Sequence, residues 1–317
     1  MKSQGNKVVN FIENNVSLFL IISIPFGLFF PYFAFLKNYI TYFLMLVLFV
    51  TFLKMDIMEI VHHIKRPMLL LYIEGMSLIA APIIVYFVLT LLKFNYIVVA
   101  ALVLLAAAPA GVASPAMTDL TSGDTSLNVI IIFISHLIAP FTIPFLFFVL
   151  FRKDIRLDYL NVLITMAKLI LIPLAAALFS KQFLKKKLNF IKERSSLLTI
   201  IPVFLISLTV ISINAPFIKS NPFQVVKYLL IVYPEYFFFM VFGFVMVFWL
   251  NLKEKIAVSN SKTFANVSIV MVLAFEFFDP KVALIIALAQ LPWPTMLVPV
   301  NIMLKLIRKK VPENQYL

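Results

Sequence analysis

The chain alternates long apolar stretches with short polar turns. Ten apolar stretches can be marked, at 16–36, 38–58, 67–92, 96–118, 126–151, 159–180, 196–218, 223–252, 256–278 and 282–307. Roughly 20 apolar residues suffice for a helix to cross a bilayer. The pattern therefore predicts an all-α membrane protein of ten transmembrane helices, a single integral membrane domain over residues 1–317. Lys54 and Asp56 crowd the end of the second stretch. The first apolar stretch follows a polar start and is long enough to cross rather than to be removed as a signal peptide.

Two stretches are interrupted. The fourth carries "PAGVASP" (109–115) and the ninth carries "SNSKTFAN" (259–266), small and polar residues inside apolar sequence. Ten spans divide into five and five. The second five must enter the membrane from the opposite side, so a repeat here would be inverted, roughly 10–155 and 156–310, with the interruptions at matching places. In lipid, an unpaired backbone group costs several kcal/mol, so a break survives only when buried in protein or lining a wet cavity. The amides and carbonyls it frees can hold substrate or ions, as in many secondary transporters. Pro109 and Pro115 each remove a backbone donor, and Gly111 permits close approach. One proline kink would signify curvature alone. Two polar breaks at symmetric positions predict crossed, discontinuous helices 4 and 9 lining a substrate cavity.

Composition agrees with a membrane location, at 63% hydrophobic and 13% charged. Cysteine is absent, which excludes disulfides, thiolate metal sites and cysteine nucleophiles. The net charge of +13 raises the question of a nucleic-acid partner. Its placement answers against one: with ten spans, seventeen Lys and Arg fall on the side holding both termini and eight on the other. That bias places both termini in the cytoplasm of a multi-pass protein of the inner or plasma membrane. The run "KQFLKKKLNFIKER" (181–194) reads as an inside loop. A membrane-embedded enzyme is the competing class, but no H-E-x-x-H, D-D-x-x-D, G-x-G-D or Walker motif is present, so none is expected.

The interrupted fourth stretch resembles the fourth-helix signature of the bile acid:sodium symporter family, P-G-G-x-A-S-N-x-x-T-x-L-A-x-G-[ND]-x-x-L-S-V. Pro109, Gly111, Ala113, Ser114, Thr118, Leu120, Gly123, Asp124, Leu127 and Val129 match in register. "HLIAPFTIP" (136–144) is similar to that family's L-x-x-P-x-x-T-P stretch, and "FANVSIVMVLAF" (264–275) to its M-Q-N-x-x-L-A pattern. The resemblance implies a core domain of spans three, four, five, eight, nine and ten, and a flatter panel domain of spans one, two, six and seven. It implies a small organic anion as substrate, transported by alternating access as one domain moves against the other. Ala110, Gly111, Val112 and Asn266 are the substrate contacts it implies.

The family commonly couples transport to two sodium ions, and those ligands carry over poorly. The first site would use Ser114, Pro115, Asn128, Ile132 and Ser261, the last at the position of a glutamate. The second would use Ser77, Ser261 and Ala265. Only Ser114 is retained unchanged, and Asn128 keeps an oxygen, so these two are the remnant sodium positions. The resemblance thus leaves sodium open, with proton-coupled, sodium-independent and non-standard sodium-coupled versions as alternatives. A sodium-independent carrier related to auxin or arsenite efflux is a further reading, although the arsenite version relies on a cysteine. No other cofactor is implied.

Ionisable residues inside membrane spans are functional candidates. Glu74 and Lys262 each lie roughly 10–12 Å in from the cytoplasmic face, where spans three and nine meet in the family. They are expected to pair where sodium would sit; the alternative is a Lys262 that snorkels to the headgroups. Asp124 is expected to cap the next helix and Asp119 to be a solvated helix end. His136 reads as hydrogen-bonded structure, and "LPWPTM" (291–296) as a kink with a packing or interfacial tryptophan. Lys168 and Glu235 carry no assignment.

Overall fold

The computed structural model describes residues 16–55, 66–151, 158–183 and 194–308. Each of the ten apolar stretches holds helix, and the described residues form no strand. The chain runs through α1 (Val16–Phe29), α2 (Pro31–Lys54, opened by a 3₁₀ segment), α3 (Pro67–Leu91), α4 (Tyr96–Ala106), α5 (Ser114–Leu120), α6 (Thr125–Phe151) and α7 (Tyr159–Phe183). It continues through α8 (Ser195–Ser220), α9 (Pro222–Val245), α10 (Leu252–Thr263), α11 (Val267–Phe277), α12 (Pro280–Leu288), α13 (Pro292–Thr295) and α14 (Leu297–Arg308).

Among the described residues six helices are long and apolar enough to cross a bilayer, namely α2, α3, α7, α9, most of α8, and α6; the span from α12 to α14 is a seventh, bent by 43°. The fourth and ninth stretches do not form single long helices. Each is divided, into α4 and α5 and into α10 and α11, where the polar interruptions fall. Most of the basic run at 181–194 and the end of the second stretch lie outside the described residues.

Helix starts follow local chemistry. Asn95 accepts from Val98 N at the head of α4, Asp124 from Leu127 N at the head of α6 and Asp279 from Lys281 N at the head of α12. Asn251 and Glu254 make a reciprocal capping box on α10. Arg66 then ties the start of α3 to it, 2.7 Å from Glu254. Asp124 is thus the cap expected, and Asp119 is exposed.

The helices pack in two groups that meet where α6 lies on α7 and α8 on α12. α1 lies against α8, and α2 lies against both α7 and α8. In the second group α4 packs on α3 and α12, α11 on α12, and α10 on α5, α6 and α9. Lipid offers no hydrophobic drive between helices, so close approach by small residues holds such bundles together. α4 shows this: Val98 through Ala106 are buried on every face, three of them alanine. Gly27 does the same between α1 and α8. A Cβ there would lie 2.8 Å from the carbonyl oxygen of Leu208 and 2.9 Å from Ile211.

Gly27→Val is therefore expected to destabilise the α1–α8 contact by about 1–3 kcal/mol, read as a lower thermal unfolding midpoint of the purified protein.

Candidate functional site

α4 ends at Ala106 and α5 begins at Ser114; α10 ends at Thr263 and α11 begins at Val267. The two intervening segments run antiparallel to each other. Gly111 N donates to Phe264 O at 3.0 Å and Asn266 N donates to Pro109 O at 2.8 Å, forming a single bridge that pairs Ala110 with Ala265. Ala110 N donates to Ser135 Oγ on α6. The groups released by breaking one helix are thus satisfied by the other break, and Pro109 has no N–H to satisfy. Gly111 is required here for distance rather than conformation. Its φ is not positive, but a Cβ would sit 2.1 Å from Phe264 O.

A cavity of about 140 Å³ lies at this crossing, between the two helix groups. Gly111, Val112 and Asn266 line it, facing Val47 of α2 and Val203 of α8. Of the expected substrate contacts, Ala110 alone is turned elsewhere, into a smaller space beside Glu74. Val267 and Ser268 bring the first turn of α11 to the cavity. Helix N-termini carry unpaired amides and the positive end of the helix dipole. Among the described residues no Lys or Arg lines the cavity. Asn266 Nδ2 donates to His136 Nε2 at 3.2 Å, and His136 Nδ1 lies 2.7 Å from Ile132 O. A carbonyl only accepts, so the proton sits on Nδ1 and the imidazole is neutral, a structural brace for Asn266.

Lys262 lies in the last turn of α10 and is 2% exposed. It does not snorkel, and the expected ion pair with Glu74 is not formed. Nζ donates instead to Ser77 O at 2.7 Å and to Ala106 O, and lies 4.9 Å over the Phe239 ring. Local structure explains the choice. Ala106 is the last residue of α4, where carbonyls have no intrahelical partner. Ser77 stands in a π turn, Met76–Ala80, that interrupts the hydrogen-bond register of α3. Glu74 is left with both carboxylate oxygens buried and unpartnered among the described residues. Glu74, Ser77, Ser261 and Lys262 nevertheless line one small space with Ala110 and Ser135, directly against the crossing.

The remnant sodium positions are engaged with protein. Ser114 Oγ donates to Asn128 Oδ1 at 2.7 Å, Asn128 Nδ2 to Ala257 O at 2.8 Å, and Ser261 Oγ to Val258 O at 2.8 Å. Pro115, Ile132 and Ala265 bring no side-chain oxygen, and no carboxylate stands among these positions.

Of two further residues at the site, Trp293 was expected as a packing or interfacial tryptophan and Gln290 was not singled out from sequence. Trp293 Nε1 donates to Ala265 O at 3.2 Å, and its ring meets Phe264 edge to face at 5.4 Å, so the indole braces the second break. Gln290 lines the cavity with both carboxamide atoms buried and without partners among the described residues. A lone amide within the apolar run "IIALAQLPWP" was the available signal. Lys168 is exposed on α7.

Gly111→Ala is expected to separate the breaks, lowering the unfolding midpoint by the equivalent of about 1–3 kcal/mol and abolishing ligand-induced stabilisation. Gly75→Ala is the control, since nothing lies within 4 Å of a Cβ there; its midpoint should be unchanged or higher.

The comparison with known proteins agrees with this geometry. The model of the Sodium Bile acid symporter family matches residues 41–221, more than half of the chain. The chain is also similar to the uncharacterised sodium-dependent transporter YocS of Bacillus subtilis (strain 168), with 24% identity over 209 residues. That match covers 66% of this chain and 65%, just under two thirds, of the relative's length. A helical membrane chain with two breaks paired backbone to backbone, matched over more than half of its length by that family model, belongs to the sodium bile acid symporter family of transporters.

Proposed function

We propose that this protein is a secondary active transporter of a small organic anion, working by alternating access without the two sodium ions used in its family. In this reading the ten helical stretches are ten membrane spans in two inverted repeats. α1, α2, α7 and α8 form the panel that moves against the remaining helices, the core. The cavity between the two groups is where the substrate sits, exposed to one side and then the other. Its modest volume, about 140 Å³, favours a small acid over a sterol conjugate. The positive bias of the loops puts both termini in the cytoplasm.

One observation carries the sodium-independent reading, the capture of the Lys262 ammonium by the carbonyl oxygens of Ser77 and Ala106. Ser77 and the neighbour of Lys262, Ser261, stand at second-site ligand positions by the resemblance. An ammonium between carbonyl oxygens supplies there the charge that a sodium ion would bring, and it repels a second cation a few ångströms away. At an effective dielectric of about 20 that repulsion is several kcal/mol. Anion binding is supported by the N-terminal turn of α11 on the cavity, by the unpartnered Gln290 and by the nearby ammonium. A sodium-coupled symporter is the second reading. It is favoured by the printed name of the relative, a sodium-dependent transporter, and by the two side-chain oxygens of Ser114 and Asn128.

The two readings separate by thermal unfolding of the purified protein in sodium chloride and in choline chloride, alone and with a panel of small mono- and dicarboxylic acids. Binding to the native state alone raises the midpoint by mass action. Sodium alone is expected to give no rise, and any acid that binds should raise the midpoint equally in both salts. Lys262→Met should lose the response to the acid. A rise with sodium alone, or an acid response confined to sodium, would establish the sodium-coupled reading instead.

A further inference from the structure

A second cavity, of about 360 Å³, lies between the C-terminal half of α3, α4 and α9. It is larger than the space at the crossing and separate from it, sharing no lining residue. Its depth is apolar, built by Val85, Leu89, Leu102 and Ile231. Its rim carries Val88, Leu92 and Leu230, which are 49%, 62% and 65% exposed. On a membrane bundle, exposed aliphatic side chains of this kind face acyl chains, so the cavity opens on the bilayer rather than on water.

Inside this apolar space stands one ionisable side chain, Glu235, on α9. It is 6% exposed, and neither carboxylate oxygen has a hydrogen-bond partner among the described residues. The residue before it, Pro234, withholds the amide proton that the carbonyl of Leu230 would otherwise receive, and Leu230 lines the same cavity. The site therefore offers acceptors and no donor. Buried carboxylates are normally paired, because leaving one unpaired in a medium of low dielectric costs more than any neutral polar group.

The surrounding charges do not supply that partner. Lys262 acts electrostatically on both Glu74 and Glu235. Its ammonium is bound to the carbonyl oxygens of Ser77 and Ala106, and it forms no ion pair within 4 Å with either carboxylate. His136 is neutral by its hydrogen bonds, donating from Nδ1 and accepting at Nε2. Tyr236, beside Glu235, turns its ring against Phe239. Lys262 is thus the ammonium nearest two buried carboxyl groups and is bonded to neither, and the cavity that reaches Glu235 opens to the membrane.

We propose that this cavity is a binding site for a hydrophobic monoamine, whose ammonium pairs with Glu235 and whose apolar body lies along α3, α4 and α9. An amphiphile bearing a carboxylate would bring a second acid. An alcohol would make one hydrogen bond but is too weak a base to take up the carboxyl proton and form an ion pair. A phospholipid would have to bring its phosphate beside Glu235. A charge-assisted hydrogen bond is about twice as strong as a neutral one, so the head group, not the chain, decides the affinity. This site stands on different residues from the transport cavity and does not depend on the transport reading.

The test is thermal unfolding of the full-length protein in phosphatidylcholine nanodiscs with octylammonium chloride, octanol or sodium octanoate at matched concentrations. Octylammonium is expected to give a saturable rise in midpoint that octanol and octanoate do not. Glu235→Gln keeps the shape of the side chain and should raise the half-saturating concentration about tenfold or more. Ile84→Trp keeps the carboxylate but fills the cavity, and should remove the response as well. An equal response in Glu235→Gln, an equal response to octanol, or no response in the unsubstituted protein would each overturn the proposal.

Discussion

A peptide group that leaves its helix inside a membrane has no water to bond with, and the crossing of the two breaks is how this chain meets that constraint. Pro109 and Gly111 on one side and Asn266 and Phe264 on the other exchange two backbone hydrogen bonds that their own helices do not make, and Ala110 N donates to Ser135 Oγ. Everything else at the site follows from that pairing. It needs a residue without a side chain at Gly111. It brings the first turn of α11 to the cavity, and it is braced from outside by Ser135 on α6 and Trp293 on α13.

The breaks also create ends, and ends create electrostatics. The last carbonyl of α4 and a carbonyl from the π turn of α3 form a small oxygen cradle, and Lys262 delivers its ammonium into it. Such a cradle has the character of a cation site, and here a side chain of the protein occupies it. That side chain is attached to α10, immediately before the second break. The crossing lies between Lys262 and the cavity, since Ala110 borders the small space holding Lys262 while its neighbour Gly111 borders the cavity.

The two buried glutamates share that cation without touching it. Glu74 stands on the crossing side and Glu235 in the membrane-facing cavity, on α3 and α9. Carbonyl oxygens compete for the ammonium successfully because they are fixed at helix irregularities a hydrogen bond away. The glutamate side chains are anchored on regular helix, out of reach.

The order of apolar and polar residues determined most of the architecture by itself, because hydrocarbon imposes a length and a polarity that a sequence must display openly. Helical stretches, their interruptions at 109–115 and 259–266, the capping role of Asp124 and the need for Gly111 were all legible, each resting on chemistry local to the chain. The family signature around Ser114 was legible for the same reason. What tertiary structure alone decided were choices among partners distant in sequence. Lys262 was expected on Glu74 and is bound to Ser77 O and Ala106 O, because spacing along a helix places a side chain but does not say which carbonyl a π turn or a helix end sets free. Gln290 reads as one polar residue in a greasy run until the fold turns it into the cavity. Glu235 has no visible role in "YPEYFFF" until α3 and α4 close an apolar space around it. A one-dimensional pattern records which groups must be satisfied, and only the packed chain settles by what.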